Sequence, residues 1–380
     1  MTGRLAIFDH VGCKAGMDYY DTALAKGWRH GGGTVRIYSN FRSPDAEGVE
    51  FSEVYEGHSD RGSIIKMFRL LQGTFRASWD AVRSGTDAVI VHLFAADVVT
   101  TALVAIPRLF GLNVVVIAHD VSSFAGSDRK LFQSLIYNPL SRFIVVHNRF
   151  SRDMLLQHDV VKDPGKIRIV KHGGYLDYVG ENLPTREEAR RELGLDPEGR
   201  YILFFGQIKK VKGLDILLEA MTRMDDGTRL IIAGKPWKDR FDDYARIISE
   251  QGLTDRVVPI IHFIEDEERT LLFIAADVNV LPYRTIYQSG VLLMAMSHGL
   301  PVIASDLPAN REVIEAGVNG LLFESERPEA LAEQVNRFFE DSALQKRMGE
   351  RAIETISREY DWNTIAGEYR QFIAQGRRDR

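Results

Sequence analysis

Three lysines, Lys209, Lys210 and Lys212, follow the apolar run "YILFFG" and stand just ahead of Gly213 and the amphipathic stretch "LDILLEAM". A strand that ends in glycine, a short polar loop and a new helix present free backbone amides at the helix N-terminus. Ammonium groups beside those amides make an anion site. Lys212, placed directly before the glycine that opens the helix, is the lysine such a turn aims at the helix mouth, whereas Lys210 reads as an ordinary solvated side chain. The spacing G-x-x-x-x-G-K-[ST] is missing, so this is not a Walker A loop. A second junction, "PYRTIYQSGVLLMAMSHGLPVIASD" over 282–306, carries no carboxylate before its final residue. Gln288 and Ser289 offer side-chain donors there, and Gly290 lets an anion approach the amides that continue through Val291. Alone, Ser289 would be a plain N-cap; two such junctions in one half of the chain fit the two phosphates of a diphosphate.

The first half contains a third junction, "DHVGCKAGMDYYDTALAKGW" over 9–28, in which Gly12, Lys14, Gly16 and Tyr19 form a candidate acceptor loop. It does not fit G-x-G-x-x-G, and "GGG" at 31–33 precedes a strand, so the dinucleotide fingerprint of nicotinamide enzymes is missing. "IAHD" delivers His119 and Asp120 to the end of another strand. These are the candidate catalytic residues, against the alternative that a strand-end histidine is simply structural.

The elements that must hold these residues follow from periodicity. Short β-branched runs alternate with amphipathic stretches throughout, which predicts an α/β chain built from βα units and parallel sheets. Strands are expected at 4–8, 34–38, 87–94, 113–119 and 142–147, and again from 201, at 229–234, 257–261, 278–283, 301–305 and 320–324. Helices are expected over 17–28 and 61–83. The stretch 172–200 mixes Gly, Pro and charge and reads as a linker, giving domains over 1–184 and 185–359. In the last segment, 360–380, Trp362, Ile365, Tyr369, Phe372 and Ile373 recur at helical spacing, a stripe that packs either on its own domain or back on the first.

With 380 residues, 45% hydrophobic and 27% charged, the chain can fill two cores. Lys and Arg against Asp and Glu give +2 for 1–184 and −7 for 185–380, summing to −5. That balance argues against nucleic acid as a partner and places any anionic surface at the first half. The single cysteine, Cys13, and the lack of a charged-then-apolar opening segment lead us to expect a cytoplasmic protein. No apolar run approaches the ~20 residues that span a bilayer, so any membrane contact is peripheral. Residues 61–83 carry Ile64, Met67, Phe68, Leu71, Phe75 and Val82 on one face, flanked by Arg61, Lys66, Arg69, Arg76 and Arg83. This suits either an anionic inner-leaflet surface or an ordinary helix covering the sheet.

Together, "FFGQIKKVKGLDILLEA", "LIIAGKP", "AADVNVLPY", "MAMSHGLPVIASDLPANREVIEAGVNGLLF" and the closing "YDW" helix resemble family 4 glycosyltransferases of the GT-B fold, in order and spacing over about 200–376. The Gly12–Gly16 loop, "IAHDVSSF" and "FIVVHNRFSRDML" resemble the same family more loosely. The resemblance implies two Rossmann-like domains whose parallel sheets face a central cleft. It implies a donor diphosphate held by Gly206, Gln207, Lys209, Lys212, Gln288, Ser289, Gly290 and Val291. Lys212 would be the diphosphate lysine, Gln207 replaces the family's usual arginine, and Lys209 would supply the missing charge. His119 is similar to the histidine that meets the transferred sugar. His262, Phe263, Ile264, Tyr283 and Glu312 would face the base or sugar. One departure is plain: the two glutamates the family places around the phosphate helix are Ile286 and Met294 here, in a "QSGV" version of the motif.

The implied activity is transfer of a hexose from a UDP- or GDP-linked donor to a saccharide acceptor, either free or carried on a polyprenyl diphosphate, in surface or exopolysaccharide assembly. No Asp-x-Asp follows a strand, so neither metal nor other cofactor is expected. If configuration is retained, the leaving phosphate can take the acceptor proton; if it is inverted, a carboxylate among Asp9, Asp18, Asp21 and Asp120 is needed. A sugar-nucleotide epimerase of the same fold is the nearest rival.

Overall fold

The computed structural model describes residues 3–12, 16–43, 46–55, 63–121, 129–237 and 240–378. Lys14 and Arg61 lie outside the described residues. The chain divides into two compact units, Met1–Gly173 with Tyr360–Arg380, and Gly174–Glu359. Composition placed the division at 184, but residues after Gly173 already pack within unit 2. There the Tyr175 amide donates to Ser297 Oγ at 2.9 Å, and Arg190, in the helix Arg186–Glu192, binds Ala275 O and Asp277.

In unit 1 the described strands are β1 (Arg4–Phe8), β2 (Thr34–Ser39), β3 (Glu50–Glu53), β4 (Ala88–Leu93), β5 (Val114–Ala118), β6 (Phe143–Val146) and β7 (Ile167–Ile169). They form one parallel sheet in the order β3-β2-β1-β4-β5-β6-β7. Unit 2 holds β8 (Arg200–Phe205), β9 (Thr228–Ala233), β10 (Val257–Ile260), β11 (Val278–Leu281), β12 (Val302–Ser305) and β13 (Leu321–Phe323). These are also parallel, in the order β10-β9-β8-β11-β12-β13. Both are doubly wound: the order reverses between β1 and β4 in one unit and between β8 and β11 in the other. At such points, beyond the carboxyl ends of the strands, open sheets bind ligands. The central strands are buried and mostly apolar because helices cover both faces; β4 and β5 have no exposed residue.

The last helix, Trp362–Arg378, packs along the first, Met17–His30, inside unit 1. Gly27 makes that approach possible, since a Cβ there would lie 2.4 Å from Trp362 O. Tyr20 and Tyr369 meet hydroxyl to hydroxyl at 3.0 Å, and Arg142 donates to Gly376 O at 2.8 Å.

The helix Ser63–Arg83 turns its small residues inward. Gly73, Thr74, Ala77, Ser78 and Ala81 are buried with Leu70, and a Cβ on Gly73 would lie 2.4 Å from Val54 O. The bulky stripe is therefore not what packs on the sheet. Phe68, Phe75 and Trp79 are 65%, 54% and 53% exposed, with Lys66, Arg76 and Arg83 exposed beside them. Among the described residues no helix is long and apolar enough to cross a membrane.

Candidate functional site

In unit 2 the loops that leave β8 and β11, the strands flanking the reversal, are bound to one another. Gly213, at φ 68, caps the helix Leu214–Met221, and a Cβ there would lie 1.9 Å from Pro282 O. Arg284 grips Asp215 through both carboxylate oxygens at 2.9 and 2.7 Å and donates to Lys210 O at 2.8 Å. Its own amide donates to Val211 O at 2.9 Å. Bidentate pairing of this kind fixes geometry as well as energy, and it holds the Asp215 carboxyl below its ordinary range despite burial. Gly206, at φ 105, leaves its β position 3.5 Å from Val291 Cγ2, which brings the first loop against the second helix.

Between these loops Lys212 is held, half-buried, with Nζ donating to Tyr283 Oη at 2.8 Å and lying 4.2 Å from the ring centroid. Tyr283, expected at the base or sugar, is 1% exposed, so it orients the lysine from behind. Ser289 caps the helix Gly290–Ser297 by accepting from the Leu292 amide at 3.2 Å. The first amides of that helix, Gly290 and Val291, have no intrahelical acceptor. Lys209, expected to supply the second charge, stands 4.4 Å over the Trp237 ring. Gln207 is exposed and Gln288 half-buried. His262 is exposed and pairs with Glu268 at 2.9 Å, Phe263 is 63% exposed, Ile264 is half-buried, and Glu312 is exposed beyond the short helix Pro308–Arg311. Ile286 and Met294 are half-buried. A Gly213→Ala change forces a left-handed residue against a carbonyl and is expected to cost about 2 kcal/mol or more. Thermal unfolding would register it, together with weakened binding of UDP.

In unit 1 the ends of four successive strands each carry a histidine: His92 in β4, His119 after β5, His147 after β6 and His172 after β7. All four rings lie 5.0–5.7 Å from the Tyr20 ring, which also meets Trp362 at 4.9 Å. His92 Nδ1 and His119 Nε2 share a hydrogen bond of 2.9 Å, and His92 Nε2 pairs with Asp21 Oδ1 at 2.8 Å. His147 Nδ1–H donates to Val170 O at 2.9 Å and His172 Nδ1–H to Gly173 O at 2.7 Å. Burial holds these imidazoles neutral: His92 and His172 are pushed down to about 4 and His147 to about 3. His119 is also lowered well below its ordinary value, by burial and then by its histidine neighbours. Phe94 stacks on the His119 ring at 4.7 Å, and His119 is half-buried as a residue where His92, His147 and His172 are buried.

Asp9 accepts from the Val11 and Gly12 amides at 2.8 and 2.9 Å. Both Asp9 and Asp21 are fully buried, so neither can take a proton directly from an acceptor hydroxyl, as an inverting base would have to. Burial first, then the Asp21 charge, push Asp9 up to about 7. Asp18 and Asp120 are half-buried. Gly12 is buried at φ 68, where any Cβ would overlap Asn40; Gly16 opens the first helix at φ 72 with Tyr19 half-buried in its first turn. Of this cluster the sequence reading found only His119 and, as separate candidates, the aspartates. His92, His147 and His172 were missed, though the four histidines recur at intervals of 27, 28 and 25 residues and three of them directly follow apolar runs.

Two doubly wound parallel units, one carrying an anion-ready pair of loops at its strand reversal, define a protein of the GT-B glycosyltransferase fold. Residues 185–355 match the family described as Glycosyl transferases group 1. D-inositol 3-phosphate glycosyltransferase of Corynebacterium glutamicum (strain R) is 28% identical over 224 residues, 56% of this chain and 52% of that protein. The chain spans about half the length of the curated relatives it matches first. In three dimensions it is similar to sucrose-phosphate synthase from Thermosynechococcus elongatus, with a TM-score of 0.78, 19% identity and 98% of both chains covered. It is also similar to Anabaena HepE in complex with UDP and glucose, with a TM-score of 0.76, 17% identity, and 98% and 100% covered.

Proposed function

We propose that the chain transfers a hexose from a nucleoside diphosphate donor, UDP-linked in the first instance, to the hydroxyl of a saccharide acceptor. The observation that carries this is Lys212, tethered to Tyr283 on the loop that leads to the amides of Gly290 and Val291, all on two loops locked together by Arg284 and Asp215. A departing diphosphate needs fixed positive charge and oriented N–H donors that do not reorganise as its charge grows. This pair of loops supplies both from protein groups, so we propose a reaction independent of metal. The full burial of Asp9 and Asp21 supports retention of configuration, in which the leaving phosphate accepts the proton of the attacking hydroxyl. The relative in complex with UDP and glucose supports the choice of base.

The direct test is UDP release from UDP-glucose and related donors with and without oligosaccharide acceptors in the presence of EDTA, followed by the anomeric configuration of the product. Acceptor-dependent release with an unchanged anomer supports the reading. Release that ignores the acceptor, or a donor epimer as product, overturns it.

We propose further that the acceptor is carried on a lipid at an anionic membrane surface, met by the outward face of Ser63–Arg83. Phe68, Phe75 and Trp79 would enter the interface, with Lys66, Arg69 and Arg76 over the headgroups. At about 1 kcal/mol per basic residue near the surface, reversing all three charges is expected to weaken binding to anionic vesicles more than a hundredfold. Vesicle flotation of Lys66→Glu, Arg69→Glu, Arg76→Glu together measures it, and retained binding would remove the membrane from the account.

A further inference from the structure

Beyond the end of β13 the chain passes through 324–327 and turns at once into the helix Pro328–Glu340. The turn is made at Glu326, which is left-handed at φ 60. Among the described residues the only other non-glycine at positive φ is Asp159, at φ 53. A short acid tolerates that conformation through local hydrogen bonds, whereas a long side chain gains nothing from it. The Glu326 carboxylate pairs with Arg284 Nε at 3.2 Å while its side chain stays 64% exposed. An ion pair so open to water contributes less than a left-handed residue costs, and glycine would make the same turn without strain. Stability does not account for a glutamate here.

Its contacts do. With Glu326 in place all three nitrogens of the Arg284 guanidinium are engaged: Nη1 with Lys210 O and Asp215 Oδ1, Nη2 with Asp215 Oδ2, and Nε with Glu326. Ser325, one residue earlier, donates from Oγ to Tyr283 O at 3.3 Å and from its amide to Asp306 Oδ1 at 3.1 Å. Residues 325 and 326 thus hold two successive residues, Tyr283 and Arg284, and Tyr283 Oη is the acceptor for Lys212 Nζ. The end of β13 supplies a third loop to the pair that leaves β8 and β11.

We infer that Glu326 is a positioning residue of the diphosphate site: it closes the last donor of Arg284, fixes the backbone of Tyr283 and so holds the Lys212 ammonium group where the leaving diphosphate meets it. It acts through Arg284 and Tyr283 rather than on the substrate. Its strain is kept where a rigid loop serves the reaction. The kinetic consequence rests on the proposed glycosyltransferase reading; the tether on Lys212 does not.

The sign of one measurement separates positioning from plain electrostatics. Removing a carboxylate near an anion site strengthens anion binding if only the field matters. In Glu326→Gln, which keeps the length and the backbone, we expect UDP to bind about threefold more weakly by calorimetry and kcat with UDP-glucose to fall about fivefold. In a Lys212→Ala background the same change should alter neither quantity by more than about 1.5-fold, because the effect passes through that ammonium group. Nitrogen-15 relaxation of the lysine ammonium groups of the full chain, assigned with Lys212→Ala, should show Lys212 more mobile in Glu326→Gln without any ligand. Glu326→Gly should lose the same activity yet unfold at or up to about 2 °C above the wild-type temperature. UDP binding that is unchanged or tighter in Glu326→Gln overturns the inference. So does a loss that persists without Lys212, an unaltered Lys212 ammonium group, or a Glu326→Gly protein that melts below the wild type. A wild type that binds no UDP and transfers no sugar would remove the glycosyltransferase reading, and the ammonium relaxation and the melting temperature would still decide the tether.

Discussion

Lys212→Ala is expected to lower kcat/KM for the nucleotide-sugar donor about a thousandfold, which is about 4 kcal/mol of transition-state stabilisation. A unit charge about 4 Å from a phosphate oxygen in a surface-like dielectric is worth a similar amount. The effect on kcat should exceed the effect on UDP affinity, because charge on the leaving diphosphate grows as the glycosidic bond breaks. Tyr283→Phe removes only the acceptor that holds the ammonium group and is expected to cost about tenfold, the value of one hydrogen bond to a charge. Steady-state kinetics beside calorimetry with UDP would separate the two quantities. Equal kcat/KM in Lys212→Ala and wild type would end the diphosphate reading of this loop pair.

The second large effect is on stability. Acidification from pH 6.5 to 4 is expected to destabilise unit 1 by several kcal/mol. His92, His147, His172 and His119 have folded pKa values below the ordinary imidazole value. Over this range the unfolded chain therefore binds protons the folded chain refuses, and each imidazole contributes about 1.4 kcal/mol of lost stability per pH unit on acidification. The carboxyls act in the opposite sense. Asp9 is raised to about 7 and Asp21 is raised as well, so their protons stabilise the fold at low pH and that contribution is lost as pH rises through 7. Four groups against two leaves acid the loser, with maximum stability near pH 6.5. Urea unfolding at intervals from pH 4 to 8 measures the curve, and His147→Phe should flatten its acid limb. Stability that is constant or rising from pH 6.5 down to 4 would show that the imidazoles are charged in the folded state.

How far these features were legible depended on whether their cause was local. The central strands could be read because each is a β-branched run, and Lys212 and Ser289 because a glycine and a cap residue sit beside them in the chain. β3, "EFSE", and β7, "IRI", could not, since one is a polar edge and the other three residues long. The inward face of Ser63–Arg83 was also hidden. The hydrophobic stripe left open whether Phe68 and Phe75 cover the sheet or face outward, and close packing on Val54 and Tyr55, which requires Gly73 and small neighbours, turns them outward. The Tyr283–Lys212 and Asp215–Arg284 pairs join residues about 70 positions apart. The histidine cluster was invisible residue by residue and visible only as a repeat: parallel strands with helical crossovers bring every strand end to one edge, so a side chain recurring once per βα unit becomes a row.

The return of Trp362–Arg378 to the first helix bears on how the chain is made. Because Gly27, Tyr20 and Phe143 are completed by Trp362, Tyr369 and Phe372, a ribosome must deliver all of Gly174–Glu359 before the earlier domain can close. During synthesis the nascent N-terminal portion waits with an open apolar seam, a natural client for chaperones, while the inserted domain is free to mature first.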